Sequence, residues 1–235
     1  LPRDPHEQRM IIPIPVPGKQ KSVDICRAFI AGAPKSAVGY VLYGVNELNF
    51  TAYRKAVTSG LDVYHVDNSA FDCVRGVQFR VTKNRYHHDG RGETDGKRFA
   101  ALGLKVAERQ TQLAKRILFV EQSPSYMKCV AADVNWLNNH RHDALGVLWR
   151  GWDRNKTKAM TTLAADLAVA RLTVTHSSAA AVESLLAGVP VLVSPMSPCY
   201  GVTMEDRLRL FGVLADNQYA IGDTLNGTAW KALNP

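Results

Sequence analysis

Hydrophobic and polar positions alternate in blocks along the first half of the chain, and these blocks predict strands and helices in turn. The segment "IIPIPVP" is apolar with a proline at every second position, which suits an edge strand because proline cannot donate to a strand ladder. Helical spacing of apolar residues follows in 19–33 and 46–60, and short apolar runs that predict strands occupy 36–45 and 61–71. This alternation is typical of a doubly wound α/β fold with a parallel sheet.

The second half shows the same alternation with shorter elements and one long polar loop. The predicted strands cover the start of 77–99, then 116–126, 142–150, 171–174 and 189–195. The predicted helices cover 98–107, 127–140, 159–170 and 179–187, and two or three further helical pieces follow Pro195. The remainder of 77–99 is charged and rich in glycine, which favours a functional surface loop.

The stretch "THSSAAAVESLLAGVPVLVSP", residues 175–195, places polar residues at the start of a small apolar helix. A helix N-terminus offers unpaired N–H groups and partial positive charge to an anion such as phosphate. Ser177 and Ser178 suit either a helix cap or a ligand contact. Glu183 falls two residues too late for a capping box, which would need an acidic residue at Ala181. The sequence leaves two roles for Glu183, a ligand contact beyond the helix tip or a solvated surface residue.

This order of a His/Ser-rich turn, a helix with a glutamate and "GVPVLVSP" resembles the nucleotide-sugar site of GT-B glycosyltransferases. The resemblance implies that His176, Ser177 and Ser178 meet the donor diphosphate, and that Glu183 holds the ribose hydroxyls. It implies a nucleotide-sugar donor, with a UDP-sugar as first choice.

The same resemblance implies a compact GT-B-like α/β fold of two small Rossmann-like halves, each with a parallel sheet, and a cleft between them. We place the acceptor half at 1–125 and the donor half, with its tail helices, at 126–235. In such folds the last helix often crosses back to the first half, so we expect this of the tail around Trp230.

Two further residues at predicted strand ends are candidates for the chemistry. Arg150 ends a strand, and guanidinium groups clamp diphosphates at two points; the alternative is a generic basic loop with Arg154 and its neighbours. Asp67 is the candidate catalytic base, because transfer to a hydroxyl needs a nearby group to take its proton. Its alternative role is an ordinary turn residue, in which case His88 and Asp89 are next in line.

Composition narrows the class of protein. The 235 residues are 46% hydrophobic, enough for a substantial core, and no apolar run approaches the ~18 residues of a membrane span. No signal peptide is visible, and the four cysteines lack CxxC spacing, so we expect a cytoplasmic protein with reduced core cysteines and no membrane partner. The sequence contains no DxD motif, which favours metal-independent GT-B chemistry over GT-A. It also contains no P-loop motif, and the absence of GxGxxG gives no indication of a nicotinamide cofactor. A metal site at His87, His88 and Asp89 is the weaker alternative.

The net charge of +8 lies almost wholly in one segment. Residues 75–116 hold eleven Lys/Arg and four Asp/Glu, a local balance of +7. This segment, called the basic segment below, predicts a polyanionic partner, nucleic acid first; a solvated basic face is the alternative. The predicted nucleic-acid contacts are Arg80, Lys83, Arg85, His87, His88 and Arg91.

The wider pattern, "VYHVDNSAF … FRVTKNRYHHDGRG … ILFVEQS", is similar to a group of bacteriophage proteins with a glycosyltransferase-like second half. That resemblance implies an enzyme of the host cytoplasm that glycosylates a hydroxylated or hydroxymethylated pyrimidine in DNA, with Tyr86 and Phe99 stacking on a flipped base. Two alternatives stay open, an envelope or capsule polysaccharide glycosyltransferase and a non-catalytic nucleic-acid-binding protein with a degenerate transferase fold. The sequence does not decide the oligomeric state.

Overall fold

The computed structural model describes residues 10–88, 90–109, 116–130, 132–133, 135–140, 146–151 and 161–235. The chain forms two compact units, and each contains its own β-sheet flanked by helices. The first unit comprises Leu1–Ser69, Val74–Tyr86 and Gln218–Pro235, and the second comprises Ala70–Cys73 and His87–Asn217. The predicted α/β class with two sheet-containing halves is confirmed.

The sheet of the first unit is mixed. Its strands, in spatial order, are β1 (Ile11–Ile14), β2 (Gly39–Tyr43), β3 (Val63–Asn68), β4 (Gln78–Lys83) and β9 (Gln218–Ala220). The first three strands are parallel, as predicted, but β4 runs antiparallel to β3 and β9 antiparallel to β4. The expectation of a wholly parallel sheet is wrong here, because no α-helix carries the chain back between β3 and β4.

Helices cover the sheet of the first unit and bring the tail of the chain onto it. They are α1 (Gln20–Gly32), α2 (Phe50–Thr58), α9 (Ile221–Leu225) and α10 (Thr228–Leu233). Phe29 of α1 lies 4.9 Å, between ring centroids, from Tyr64 of β3, and Tyr64 lies 4.8 Å from Trp230 of α10. These rings belong to one buried core, so the tail returns to the first unit as expected.

The sheet of the second unit contains four described strands, all parallel. Their spatial order is β6 (Val147–Arg150), β5 (Arg116–Val120), β7 (Ala170–Thr175) and β8 (Val191–Val193). The helices of this unit are α3 (Lys97–Ala101), α4 (Pro124–Cys129), α5 (Trp136–Asn139), α6 (Leu163–Leu167), α7 (Ala180–Leu186) and α8 (Arg207–Asp216). The single helix predicted over 127–140 is in fact α4 followed by α5.

The division between the units differs from the predicted boundary at 125/126. Strand β5 pairs with β6 and β7, so it belongs to the second sheet, and the chain passes into the second unit after Tyr86. An apolar run predicts a strand but carries no information on which neighbours it will pair with. As a result, the basic segment is divided between the two units.

Two other expectations are tested by burial and element length. Cys26, Cys129 and Cys199 are buried as expected, but Cys73 is exposed. Within the described ranges, no helix has the length and apolar character needed to cross a bilayer.

Candidate active site

Polar residues collect where the parallel strands of the second unit end. Glu121, Gln122 and Ser123 follow β5, His176 and Ser177 follow β7, and the carboxyl ends of parallel strands share one edge of a sheet. Ligands of open α/β sheets bind outside this edge. His176 and Ser177, which the sequence predicted as site residues, lie at this edge of the second sheet.

Hydrogen bonds join four side chains at this edge into a chain, called the His176 chain below. Nδ1 of His176 lies 3.0 Å from Oγ of Ser177, Ser177 donates to the Tyr126 hydroxyl over 3.2 Å, and that hydroxyl lies 3.1 Å from Nε2 of His87. His176, Ser177 and Tyr126 are buried, and His87 is half-buried. The His176 chain thus connects the end of β7, helix α4 and the loop that follows β4.

Local sequence explains why Tyr126 reaches this position. Helix α4 begins with Pro124 at its first position, and the side chain of Ser123 caps it by accepting from the backbone N–H of Tyr126 over 3.4 Å. This fixes Tyr126 in the first turn of the helix, next to the polar end of β5. Sequence reasoning missed Tyr126, although a Ser-Pro pair after a polar strand end is a usable helix-start signal.

The environment of His176 keeps its imidazole neutral. Burial lowers the pKa of His176 below its ordinary value, and the negative charge of Asp133 opposes this only in part. The ring of Trp136 meets the imidazole edge-on, with 5.6 Å between centroids and 89° between planes. Nε2 of His176 has no hydrogen-bond partner within the part of the chain that the structure describes.

Two further polar atoms nearby in the fold are buried and lack a hydrogen-bond partner among the described residues. They are Oε1 of Gln122, directly after β5, and Oγ1 of Thr175, the last residue of β7. An unsatisfied buried polar group costs about 1–3 kcal/mol, and both atoms are enclosed by protein in this structure. The amide of Gln122 was not among the predicted site residues.

Ser178 and Glu183 are engaged with the protein itself. The hydroxyl of Ser178 accepts from the backbone N–H of Ala180 over 3.3 Å, so it serves the start of α7. Oε1 of Glu183 accepts from the backbone N–H of Asp72 over 3.1 Å, which ties the segment 70–73 to α7. Glu183 is therefore neither a capping-box residue nor a merely solvated one.

A glycine closes α7 and brings another segment against it. Gly188 has φ +77°, and a Cβ there would collide with the carbonyl oxygen of Glu108. The backbone N–H of Ala107 donates to the carbonyl of Leu186 over 2.8 Å. Only glycine allows both the left-handed backbone and this close approach, which confirms the predicted role of Gly188 at the helix end.

Arg150 lies at the end of β6, as predicted, but its guanidinium has protein partners. Nη1 donates to Asp166 over 2.8 Å and to the carbonyl of Thr161 over 3.0 Å. These bonds hold helix α6 to the strand end, which differs from an uncommitted diphosphate clamp. Arg154, Lys156 and Lys158 lie outside the described residues.

Asp67 ends β3 in the first unit, as predicted, but in an ion pair. Its carboxylate is 2.8 Å from Nη2 of Arg80, and it accepts from the Tyr86 hydroxyl over 3.2 Å and from the N–H of Asn68 over 2.7 Å. Burial favours the neutral acid, but Arg80, His65 and the hydrogen bonds outweigh it and lower the pKa of Asp67. A carboxylate stabilised in this way is a weak proton acceptor, which argues against its role as the base.

The predicted nucleic-acid contacts are distributed over both units and several are paired. Arg80 binds Asp67, and Lys83 lies 2.9 Å from Asp62 and donates to Asn234 over 2.7 Å. His87 belongs to the His176 chain, and Nδ1 of His88 accepts from the N–H of Gly90 over 3.2 Å. Arg85 and Arg91 are exposed. The basic segment is thus no single face of free cations.

The metal alternative at His87, His88 and Asp89 falls partly outside the described residues, since Asp89 is not described. Among the residues that are described, no three His, Cys, Asp or Glu side chains are grouped so as to hold a metal ion.

Comparison with known proteins finds similarity to solved structures only. No protein-family model matches the chain, and no curated protein sequence matches it. The fold resembles a structure of Thermosulfurimonas dismutans KpsC, beta Kdo 2,4 transferase, with a TM-score of 0.59 and 14% identity over 92% of this chain and 93% of that one. It also resembles Thermosulfurimonas dismutans KpsC, beta Kdo 2,7 transferase, with a TM-score of 0.52 and 11% identity over 95% and 99% of the two chains. At such identities the likeness shows that the α/β fold is shared along nearly the whole of both chains.

Proposed function

We propose that the protein is a glycosyltransferase that moves a sugar from a nucleotide-sugar donor to a hydroxyl group. The observation that carries the proposal is the polar cluster at the carboxyl edge of the second sheet, in a fold shared with two Kdo transferases. A fold alone does not fix a function, so the cluster and not the likeness bears the argument.

The second unit supplies the donor site in this proposal. Gln122 offers its half-buried side-chain amide to the nucleotide sugar, and Glu183 is the proposed contact for ribose hydroxyls. A UDP-sugar is the first donor to try, and the proposed reaction uses no metal ion.

For the acceptor, a saccharide hydroxyl in an envelope or capsule polysaccharide takes precedence over DNA. The structural neighbours transfer Kdo, which is a sugar, whereas the DNA proposal rests on the charge of the basic segment. The ion pairs of Arg80 and Lys83 reduce the number of cations available to phosphates. A modified pyrimidine in DNA remains the second candidate acceptor because the segment still carries most of the net charge.

The proposal is tested first by binding and then by transfer. The purified protein is screened by thermal shift against nucleoside mono- and diphosphates and their sugars, since a ligand at 100 times its Kd stabilises by about 2.7 kcal/mol. The best nucleotide sugar is then incubated with oligosaccharides or with hydroxymethylated DNA, and the released nucleotide and the product mass are measured.

Ligand-dependent stabilisation that Gln122→Ala weakens, together with a glycosylated oligosaccharide, supports the proposal. Tyr200→Phe is the matched control, because this exposed residue lies outside the cluster. Absence of stabilisation by every nucleotide would favour the non-catalytic alternative, and a glycosylated DNA product would reverse the order of the two acceptors.

A further inference from the structure

We infer that His176 is the catalytic base, which takes the proton from the acceptor hydroxyl at its Nε2, and that Ser177, Tyr126 and His87 position it. The inference rests on the proposed glycosyltransferase function. It assigns to His176 a role different from the diphosphate contact implied by the family resemblance.

In the proposed arrangement, the direction of the hydrogen bonds sets which nitrogen of His176 carries the proton. A hydroxyl has one proton, and in the proposed arrangement Ser177 uses it to donate to Tyr126, whose oxygen is 3.2 Å away. The Ser177 oxygen must then accept from Nδ1 of His176, 3.0 Å away. In a neutral imidazole a proton on Nδ1 leaves Nε2 as a bare lone pair.

That lone pair determines what His176 can bind. A phosphate oxygen is an acceptor and gains no hydrogen bond from an unprotonated nitrogen. A hydroxyl group is a donor and fits. Nε2 has no hydrogen-bond partner among the described residues. It does not belong to the buried polar atoms that protein encloses in the described part of the chain, so a ligand can reach it.

The surroundings support the role. The pKa of His176 lies below its ordinary value because of burial, so the base form is populated at neutral pH. Asp133, whose charge raises the pKa, also stabilises the imidazolium that forms when the proton arrives. Asp67, in contrast, is already paired with Arg80.

The proposed step transfers the donor sugar to the acceptor oxygen. The acceptor oxygen attacks the anomeric carbon of the donor sugar, and a new C–O bond forms. The bond from that carbon to the nucleotide phosphate breaks, and its electron pair leaves with the phosphate. The acceptor proton passes to Nε2 of His176, and the resulting imidazolium later returns it to water.

Throughout the step, Nδ1–H of His176 still donates to Ser177. The His176 chain therefore holds the imidazole ring in one orientation before and after proton transfer. Tyr126 accepts from Ser177 and its hydroxyl contacts His87, so these residues act through Ser177 and not on the substrate. They are positioning residues.

Two variants separate the base from its supports. His176→Asn keeps an N–H near the Nδ1 position for Ser177 but has no acceptor at the Nε2 position. We expect turnover at saturating donor to fall by about 10²–10⁴, the usual contribution of a positioned base, with donor affinity retained. Tyr126→Phe removes one oxygen atom and should lower turnover by about tenfold at unchanged donor affinity. Tyr200→Phe is the control, and it should behave as the parent protein.

The ¹⁵N NMR spectrum of the histidine side chains provides a readout that a purely structural role would not move. In the parent protein, Nδ1 of His176 should show a protonated shift and Nε2 an unprotonated one, and Tyr126→Phe should mix the two tautomers. A protonated Nε2 in the parent would overturn the inference.

The assay distinguishes failure of the inference from failure of the proposed function. Suppose that the parent protein transfers sugar. The inference alone is overturned if His176→Asn is equally active, or if His176→Asn loses donor affinity and keeps its turnover. A parent protein that transfers no sugar to any acceptor overturns both.

Discussion

Each of the two units contains a histidine and a tyrosine at its sheet, but only the pair in the first unit contacts an ion pair. In the first unit, the rings of His65 and Tyr86 lie 4.2 Å apart, and Tyr86 donates to a carboxylate that is ion-paired with Arg80. In the second, His176 and Tyr126 meet through the Ser177 hydroxyl, and burial lowers the pKa of His176 and favours its neutral form. In the charged cluster of the first unit, the carboxylate of Asp67 already has its partners, whereas in the second unit Nε2 of His176 keeps a lone pair for a ligand.

An acidic residue at a strand end is therefore not by itself reactive. Arg80 lowers the pKa of Asp67 and thereby weakens it as a base. A histidine held neutral by burial, with one nitrogen engaged and the other available, is better suited to accept a proton near neutral pH.

The largest effect is expected at His65, whose pKa is lowered from 6.5 to about 4. Burial is the main cause and Arg80 adds to it, while Asp67 and the Tyr86 carbonyl act in the opposite direction. Between pH 4 and pH 6.5 the unfolded chain binds a proton at this histidine and the folded chain does not. The free energy of unfolding is therefore highest above pH 6.5 and falls as the pH drops towards 4. The loss is about 3 kcal/mol, measured by urea unfolding at several pH values.

The control for this prediction is His65→Gln, which cannot titrate. Its stability should depend less steeply on pH over the same window. Asp67 does not confuse the result, because its pKa is also lowered and its contribution is lost only at more acidic pH. Equal slopes for parent and variant would contradict the assignment of the buried neutral His65.

The second effect concerns the Asp67–Arg80 pair, whose side chains are 17% and 18% exposed. Asp67→Asn leaves Arg80 without its counter-charge and should lower the free energy of unfolding by about 2 kcal/mol. Asp95→Asn, in the exposed pair with Lys97, is the matched control and should leave the unfolding midpoint nearly unchanged. If Asp67→Asn instead keeps full stability and loses turnover, Asp67 is the base and the contrast between the clusters fails.

The third effect distinguishes anchoring from ligand binding at Glu183. Glu183→Ala removes the acceptor for the Asp72 N–H and should cost about 1 kcal/mol of unfolding free energy. Glu183→Gln keeps an oxygen acceptor and should restore most of that stability. Donor affinity measured on both variants decides the second role, because a ribose contact requires weaker donor binding in the stable Gln variant as well.

The smallest effect is expected from the basic segment. If Arg80 and Lys83 stay in their ion pairs, replacing Arg80, Lys83 and Arg85 together by alanine removes at most one phosphate contact. The slope of log affinity for DNA against log salt should then change by about one and not by three. A change near three, measured by fluorescence anisotropy, would show that the cations leave their partners to bind DNA and would revive the DNA acceptor.

Periodicity and helix signals predicted much of the fold because both are local. The strand–helix–strand unit around α7, and the need for Gly188 at its end, follow from the spacing of apolar residues and one glycine. The sheet to which β5 belongs and the antiparallel strand β9 depend on long-range pairing, which no local pattern encodes.

The site was predictable at its strand ends and not beyond them. His176 and Ser177 stand in a recognisable turn, but Tyr126 joins them across about fifty positions of sequence through one hydrogen bond. The pairing of Asp67 with Arg80 was invisible for the same reason, since it depends on the register of β3 against β4. The charge of the basic segment predicted a cationic surface, but in the folded protein Arg80 and Lys83 form ion pairs with Asp67 and Asp62.

The most direct test of the central claim is a side-by-side measurement of turnover for His176→Asn and Asp67→Asn. Both are measured at saturating nucleotide sugar, on protein shown to be folded by circular dichroism. We expect His176→Asn to lose about 10² or more in turnover and Asp67→Asn to stay within about threefold of the parent. The reverse order would contradict the account, because it would place the reactive group in the charged cluster of the first unit.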